Sequence, residues 1–203
     1  MNDKFFDLKK EKQDRMINAA LKVFAFQGYK HASTDEIVKE AGISKGLLFH
    51  YFGSKIGTYE FVYDYSVRYM LLELSAVDQE ETDFYRILAQ IEDAKLQVLR
   101  NYPYMQQFLL KAAKEDDLEA LSTIAEKRDE YHTRYKEFLA GADWTKFAEG
   151  IDVDKLLRII DYSIRGIISD GLVKGYNPEL MGAEVKNYLA MFEKMTYKKF
   201  DVK

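Results

Sequence analysis

The sequence predicts an all-α chain of about nine helices, and three observations predict it. Apolar residues recur at the three- and four-residue spacing of a buried helix face almost throughout the 203 residues. Only two prolines, Pro103 and Pro178, interrupt the chain. No segment sustains the period-two alternation of a half-buried strand, and there are no repeats and no low-complexity segments.

Met16, Ala20, Leu21 and Phe24 form the first stripe, closed by Gly28, a residue suited to the left-handed position after a helix. Ser33 opens the next helix, with Glu36 three residues on as in a capping box. A third helix starts at Ser44 and a fourth near Ser54, the fourth carrying Tyr59, Val62, Tyr63, Val67, Met70 and Leu74. Thr82 caps a fifth, whose apolar residues run from Phe84 to Leu99. Asn101 to Pro103 breaks the pattern, and proline is placed to open a sixth helix through "YMQQFLLKAAK". The seventh extends from near Asp117 to Leu139 and stops at Gly141, with an irregular stretch around Trp144. The eighth covers Val153 to Lys174 and ends at Gly175. Asn177 caps the ninth, with Pro178 at its first helical position.

Composition narrows the function classes. The absence of cysteine excludes disulfides, thiolate metal sites and cysteine nucleophiles together. The charged N-terminal stretch does not read as a signal peptide, and no apolar run approaches the roughly 18 residues of a membrane span. The expected location is the cytoplasm, with no membrane partner. Residues 1–55 hold 10 Lys/Arg against 7 Asp/Glu, a balance of +3, and the remainder carries −7 of the net −4. A mildly basic head on an acidic body is compatible with a polyanion at one end.

The stretch "STDEIVKEAGISKGLLFHYFGSK", residues 33–55, holds two helices too short to be stable alone. Ile37 and Val38 give the first a buried side, Ala41 permits close approach, and Gly42 can take positive φ. Ile43 anchors the turn and Ser44 caps the second helix, which is the helix-turn-helix pattern. In that second helix Leu48 and Phe52 should face inward, leaving Lys45, Gly46, Leu47, Phe49, His50 and Tyr51 at or near the surface. A helix N-terminus and Lys45 suit a phosphate, Gly46 lets backbone come close, and Leu47 suits a thymine methyl. His50 or Tyr51 could reach a phosphate or a base edge, and Lys55 is a further phosphate candidate. A two-turn helix held by its neighbours can enter a major groove without its scaffold meeting the backbone.

From about residue 15 to 63 the chain resembles the tetracycline-repressor (TetR) family of bacterial transcription regulators, through "T-x-x-I-x-x-x-A-G-[IV]-S-x-G" and the aromatic cluster ending in Phe and Ser-Lys. The resemblance implies that Ser33 or Thr34 contacts phosphate, that Lys45, Leu47, Phe49 and His50 read or approach bases, and that Tyr51 and Lys55 hold the backbone. Two positions depart from the pattern. Phe49 stands where the family often has tyrosine. "SKIGTY" replaces its usual acidic opening of the fourth helix, and Gly57 there is expected to weaken that helix by roughly 1 kcal/mol relative to alanine.

The resemblance further implies a DNA-binding domain over 1–55 and a ligand-binding and dimerisation domain over 56–203. The regulator would repress from a palindromic double-stranded operator as a homodimer. Ser163, Gly166 and Asp170 form a small-residue strip on the eighth helix, and Val185, Leu189 and Phe192 join it from the ninth as a dimer interface. A small-molecule effector would lie among Tyr63, Tyr85, Tyr102, Met105, Phe108, Tyr131, Tyr135, Trp144, Tyr162 and Arg165. The three histidines are widely spaced, with no helical His pair for a metal and no convergent catalytic set, so neither an enzyme nor a cofactor is expected. The other class is a helical dimer that keeps the helix-turn-helix but acts by protein contact. It would be marked by loss of the cations at Lys45 and Lys55, and both are present.

Overall fold

The computed structural model describes residues 3–175 and 177–198. They form ten α-helices: α1 (Asp3–Phe6), α2 (Lys10–His31), α3 (Thr34–Ala41), α4 (Lys45–Phe52), α5 (Lys55–Leu74), α6 (Phe84–Asn101), α7 (Met105–Ala112), α8 (Leu118–Ala140), α9 (Val153–Lys174) and α10 (Pro178–Thr196). A 3-10 turn, Trp144–Lys146, lies between α8 and α9. The all-α reading holds, with one short helix, α1, beyond the sequence expectation. No described helix is long and apolar enough to cross a membrane.

The chain divides into two compact units, residues 1–73 with 98–134, and residues 74–97 with 135–203. In the first unit α2 packs chiefly against α7 and α3. Its centre is aromatic: Tyr59 sits edge-on to Phe24 at 5.0 Å, to Tyr29 at 5.2 Å and to Phe108 at 5.5 Å. Edge-to-face rings add about 0.5–1.5 kcal/mol each beyond the area they bury. Phe5 of α1 is fully buried against Phe61 at 4.9 Å and Phe52 at 5.3 Å, which explains why so short a helix holds.

In the second unit α9 packs against α10. Phe84, Trp144, Phe147 and Tyr197 form a ring cluster, with Phe84–Phe147 at 5.3 Å and Phe147–Tyr197 at 5.1 Å. Ala148 N–H donates to the Thr196 carbonyl at 2.8 Å, tying the segment after the 3-10 turn to the end of α10.

Three boundaries differ from the sequence reading. Asp83, not Thr82, caps α6, because its carboxylate accepts from Tyr85 N–H at 3.0 Å and Arg86 N–H at 3.1 Å. Burial pushes the Asp83 carboxyl up, but the Lys146 ammonium at 2.9 Å and the Arg86 N–H outweigh it and hold it below its usual range. Pro103 lies in the turn before α7 rather than in its first turn. Gly28 does take positive φ (72°), yet helix resumes after it as far as His31. The kink turns the Tyr29 N–H out of the ladder, and Glu115 accepts it at 2.7 Å.

Candidate nucleic-acid interface

The helix-turn-helix is fixed by four local devices. Ser33 Oγ accepts from Asp35 N–H at 3.2 Å and opens α3. Gly42, at φ 62°, closes it: its N–H reaches Lys39 O and the Ile43 N–H reaches Val38 O at 3.0 Å, a Schellman arrangement. Ser44 Oγ then accepts from Leu47 N–H at 3.2 Å and opens α4. Gly53, at φ 74°, ends it. Ile37 and Leu48 are both wholly buried and hold the two helices to the unit's core.

On α4 the structure leaves Lys45, Gly46, Phe49 and His50 exposed and Leu47 and Tyr51 half-buried. Ser44 is exposed, and Ser33 and Thr34 are half-buried at the start of α3. Lys45 Nζ pairs with Asp35 Oδ1 at 2.8 Å, so this cation is held beside the N-terminus of α3. Tyr51 packs edge-on against Phe5 at 5.7 Å and His50 at 5.0 Å.

Lys55 takes another course. Its ammonium donates to Ala32 O at 3.1 Å and lies 4.4 Å from the centre of the Tyr29 ring. It thus satisfies a carbonyl at the end of α2, where the helix dipole favours a cation. Gly57 also reads differently in place. A Cβ there would run into the Phe52 carbonyl oxygen, so the tight α4–α5 turn requires glycine. Its N–H donates to Ser54 Oγ at 3.0 Å. The propensity cost foreseen for Gly57 is outweighed by this close approach.

Sequence reasoning missed Asp35 as the partner of Lys45, and α1 as the brace of Tyr51. The first pairs residues ten apart across a turn, and the second joins the chain's start to α4; neither leaves a periodic signal.

The proposed effector residues fall in both units. Tyr63, Tyr102, Met105 and Phe108 are buried in the first, with Tyr63 and Phe108 rings 6.0 Å apart, and Tyr131 is half-buried there. Burial pushes the Tyr63 hydroxyl up to about 12, so it stays protonated at neutral pH. Tyr102 donates to Asp14 at 2.6 Å and meets Tyr65 at 2.6 Å. In the second unit Tyr85 is buried and bonded to Thr196 at 2.6 Å. Tyr135 lies under Lys95, 4.8 Å from its ring, and Trp144 and Tyr162 are exposed. Arg165 pairs with Asp161 at 2.6 Å.

Of the residues expected at a dimer interface, Gly166 and Asp170 are exposed and Ser163 is half-buried on α9, in line with exposed Ile159, Tyr162 and Val173. Val185 and Leu189 are buried within the second unit and Phe192 is half-buried. The exposed large apolar residues of α10 are Leu180, Tyr188, Met191 and Met195. Among the described residues no group of three His, Asp or Glu side chains is placed to hold a metal.

Residues 16–57 match the family of bacterial regulatory proteins, tetR family. Over 46 residues the chain is 52% identical to the uncharacterized HTH-type transcriptional regulator YuxN of Bacillus subtilis (strain 168); that stretch is 23% of this chain and 16% of that protein, well under two thirds of its length. Among solved structures, a TetR family transcriptional regulator from Chloroflexus aurantiacus J-10-FL aligns over 97% of this chain and 98% of its own, at 20% identity and a TM-score of 0.62. The ketosteroid transcriptional regulator KstR2 of Mycobacterium tuberculosis aligns over 95% and 97%, at 16% identity and a TM-score of 0.66. At such identities the likeness is one of fold. Residues 16–57 thus carry a head of the tetR-family type, and the chain as a whole is similar in fold to solved TetR family regulators.

Proposed function

We propose that the chain is a DNA-binding transcriptional regulator that reads a palindromic operator as a homodimer and responds to a small-molecule effector. The observation that carries the reading is α4 itself. Its caps fix it rigidly, and it shows Lys45, Gly46, Phe49 and His50 to solvent beside the amide end of a helix. A groove-reading helix needs that set: donors for phosphate, a surface without bulk, and side chains that reach base edges. Ser33, Thr34 and Ser44 add phosphate contacts at two helix starts, Leu47 and Tyr51 flank the reading face, and Lys55, at the start of α5, braces the head with its ammonium against the end of α2. In this reading residues 1–55 contact cytoplasmic DNA, and 56–203 supply the dimer contact and the effector site.

The second copy would dock on the exposed strip of α9 formed by Tyr162, Ser163, Gly166 and Asp170, with α10 beside it. Val185 and Leu189 would support that surface from beneath and Phe192 would border it. Ligand binding acts through its affinity difference between the two head spacings, and repression is relieved where the effector favours the wrong spacing.

Selection of duplexes from a random pool tests the reading, with the wild type and a K45A/H50A variant side by side. Enrichment of a two-fold symmetric site by the wild type alone is expected. No enrichment at any salt concentration would turn the reading toward a protein-contact module.

A further inference from the structure

We propose that the first unit holds a binding cleft for a small organic monocation with an aromatic or apolar body, on the flank of α4. The cleft, about 310 Å³, is formed by the end of α4, the first turns of α5 and the middle of α8. Its aromatic wall includes Tyr51, Phe52 and Phe61, and its polar wall carries Glu60, Asp64 and Glu126.

The charges there are unequal. Three carboxylates share the cleft with one cation, Lys127. That ammonium lies 2.8 Å from Glu130 and 3.9 Å from Asp64, and Arg68 reaches Asp64 at 3.0 Å. Asp64 is therefore balanced within the chain. Glu60 and Glu126 join no ion pair among the described residues, so the cleft keeps two negative charges in its lining alongside the aromatic rings. A neutral ligand would desolvate those carboxylates with no return, and an anion would be repelled. A cation with an aromatic or alkyl body meets both walls, by Coulomb attraction on one side and by cation–π and apolar contact on the other. Lys127 already shows that this wall accepts an ammonium, since its Nζ lies against Asp64. The volume is at the small end for ligand pockets and suits one ring with a substituted ammonium head.

An occupant would touch the last turn of α4 at Tyr51 and Phe52, and the α4–α5 turn at Gly57. The inference rests on the effector half of the reading above and does not require the operator half.

Calorimetric titration of benzyltrimethylammonium into the full-length protein is the test, with three proteins: wild type, an E60Q/E126Q variant and an E184Q control on α10. Glu60, Glu126 and Glu184 are exposed helix positions, and circular dichroism confirms that the variants fold. Saturable binding to wild type and E184Q is expected, weakened about tenfold or more in E60Q/E126Q, which is roughly the loss of one good charge contact. Phenylacetate, a ring of opposite charge, is expected not to bind. No saturable binding to the wild type, equal binding to E60Q/E126Q, or phenylacetate binding as well as the cation would each overturn the proposal. Duplex selection run on the same preparation separates the two readings: a symmetric site enriched without cation binding retires the cleft and leaves the operator reading standing.

Discussion

Two helices of this chain, α4 and α9, both show apolar side chains to solvent, and they do so in opposite company. On α4 the exposed Phe49 stands among Lys45, Gly46 and His50, near a capped helix start. On α9 the exposed Ile159, Tyr162 and Val173 fall along one face with the small residue Gly166 and with Asp170. Exposed apolar area alone does not say what covers it. A cation and unused amide groups beside it favour a phosphate-lined groove; small residues beside it favour another helix at close range. The difference also shows in anchoring. Two-turn α4 depends on Leu48, whereas 22-residue α9 has six buried positions along its length.

The largest effect should follow from removing that one anchor. Leu48→Ala is expected to cost about 2–5 kcal/mol of unfolding free energy by urea denaturation. Ile164→Ala in α9 removes one anchor of six, so its far-ultraviolet signal should persist where that of the head is lost. Equal loss of operator binding and of dimer in both variants would break the contrast between the two helices.

Next in size is the effect on the proposed dimer. Tyr162→Asp places a charge in the middle of the α9 strip, and should raise the dimer dissociation constant about thirtyfold or more, the scale of a central interface residue. Sedimentation velocity across protein concentration reads it directly. A monomeric wild type, or an unchanged constant, would remove α9 from the interface.

Gly57→Ala comes third. The added methyl must displace the Phe52 carbonyl, which should cost about 1–3 kcal/mol, the scale of overpacking. A gain in stability, as helix propensity alone would give, would mean that the α4–α5 turn relaxes at no cost.

Gly57 also shows where the sequence stops being legible. Caps are local, so Ser33, Gly42, Ser44, Asn177 and Gly175 could be placed from a few neighbouring residues, and α4 could be recognised before any coordinates. Thr82 and Asp83 are adjacent and both can cap, so only the geometry of the Tyr85 and Arg86 amides separates them. A helical stripe tells that a face is buried but not what buries it: on α10 Val185 and Leu189 turn into the second unit, whereas Tyr188 and Met191 turn to solvent. The close approach at Gly57, the Asp35–Lys45 pair and the cleft beside α4 all depend on how one helix meets the next, which spacing within a single helix does not encode.

The smallest effect is the most discriminating test of α4. Asp35 holds Lys45 at 2.8 Å, with both side chains well exposed, so the pair is worth roughly 0–1 kcal/mol. Asp35 also sits in the first turn of α3, where a carboxylate contributes about 0.3–1 kcal/mol through the helix dipole. Asp35→Asn should therefore lower stability by no more than about 2 kcal/mol, while freeing Lys45 and removing a negative charge from beside the proposed DNA contact. Operator affinity should then rise by about two- to fivefold at physiological salt, and Lys45→Ala in the same background should cancel the gain and make the salt dependence shallower by about one unit of slope. An affinity unchanged by Asp35→Asn would mean that Lys45 keeps its place against α3 when DNA is bound, and base reading would then fall to Leu47, Phe49 and His50.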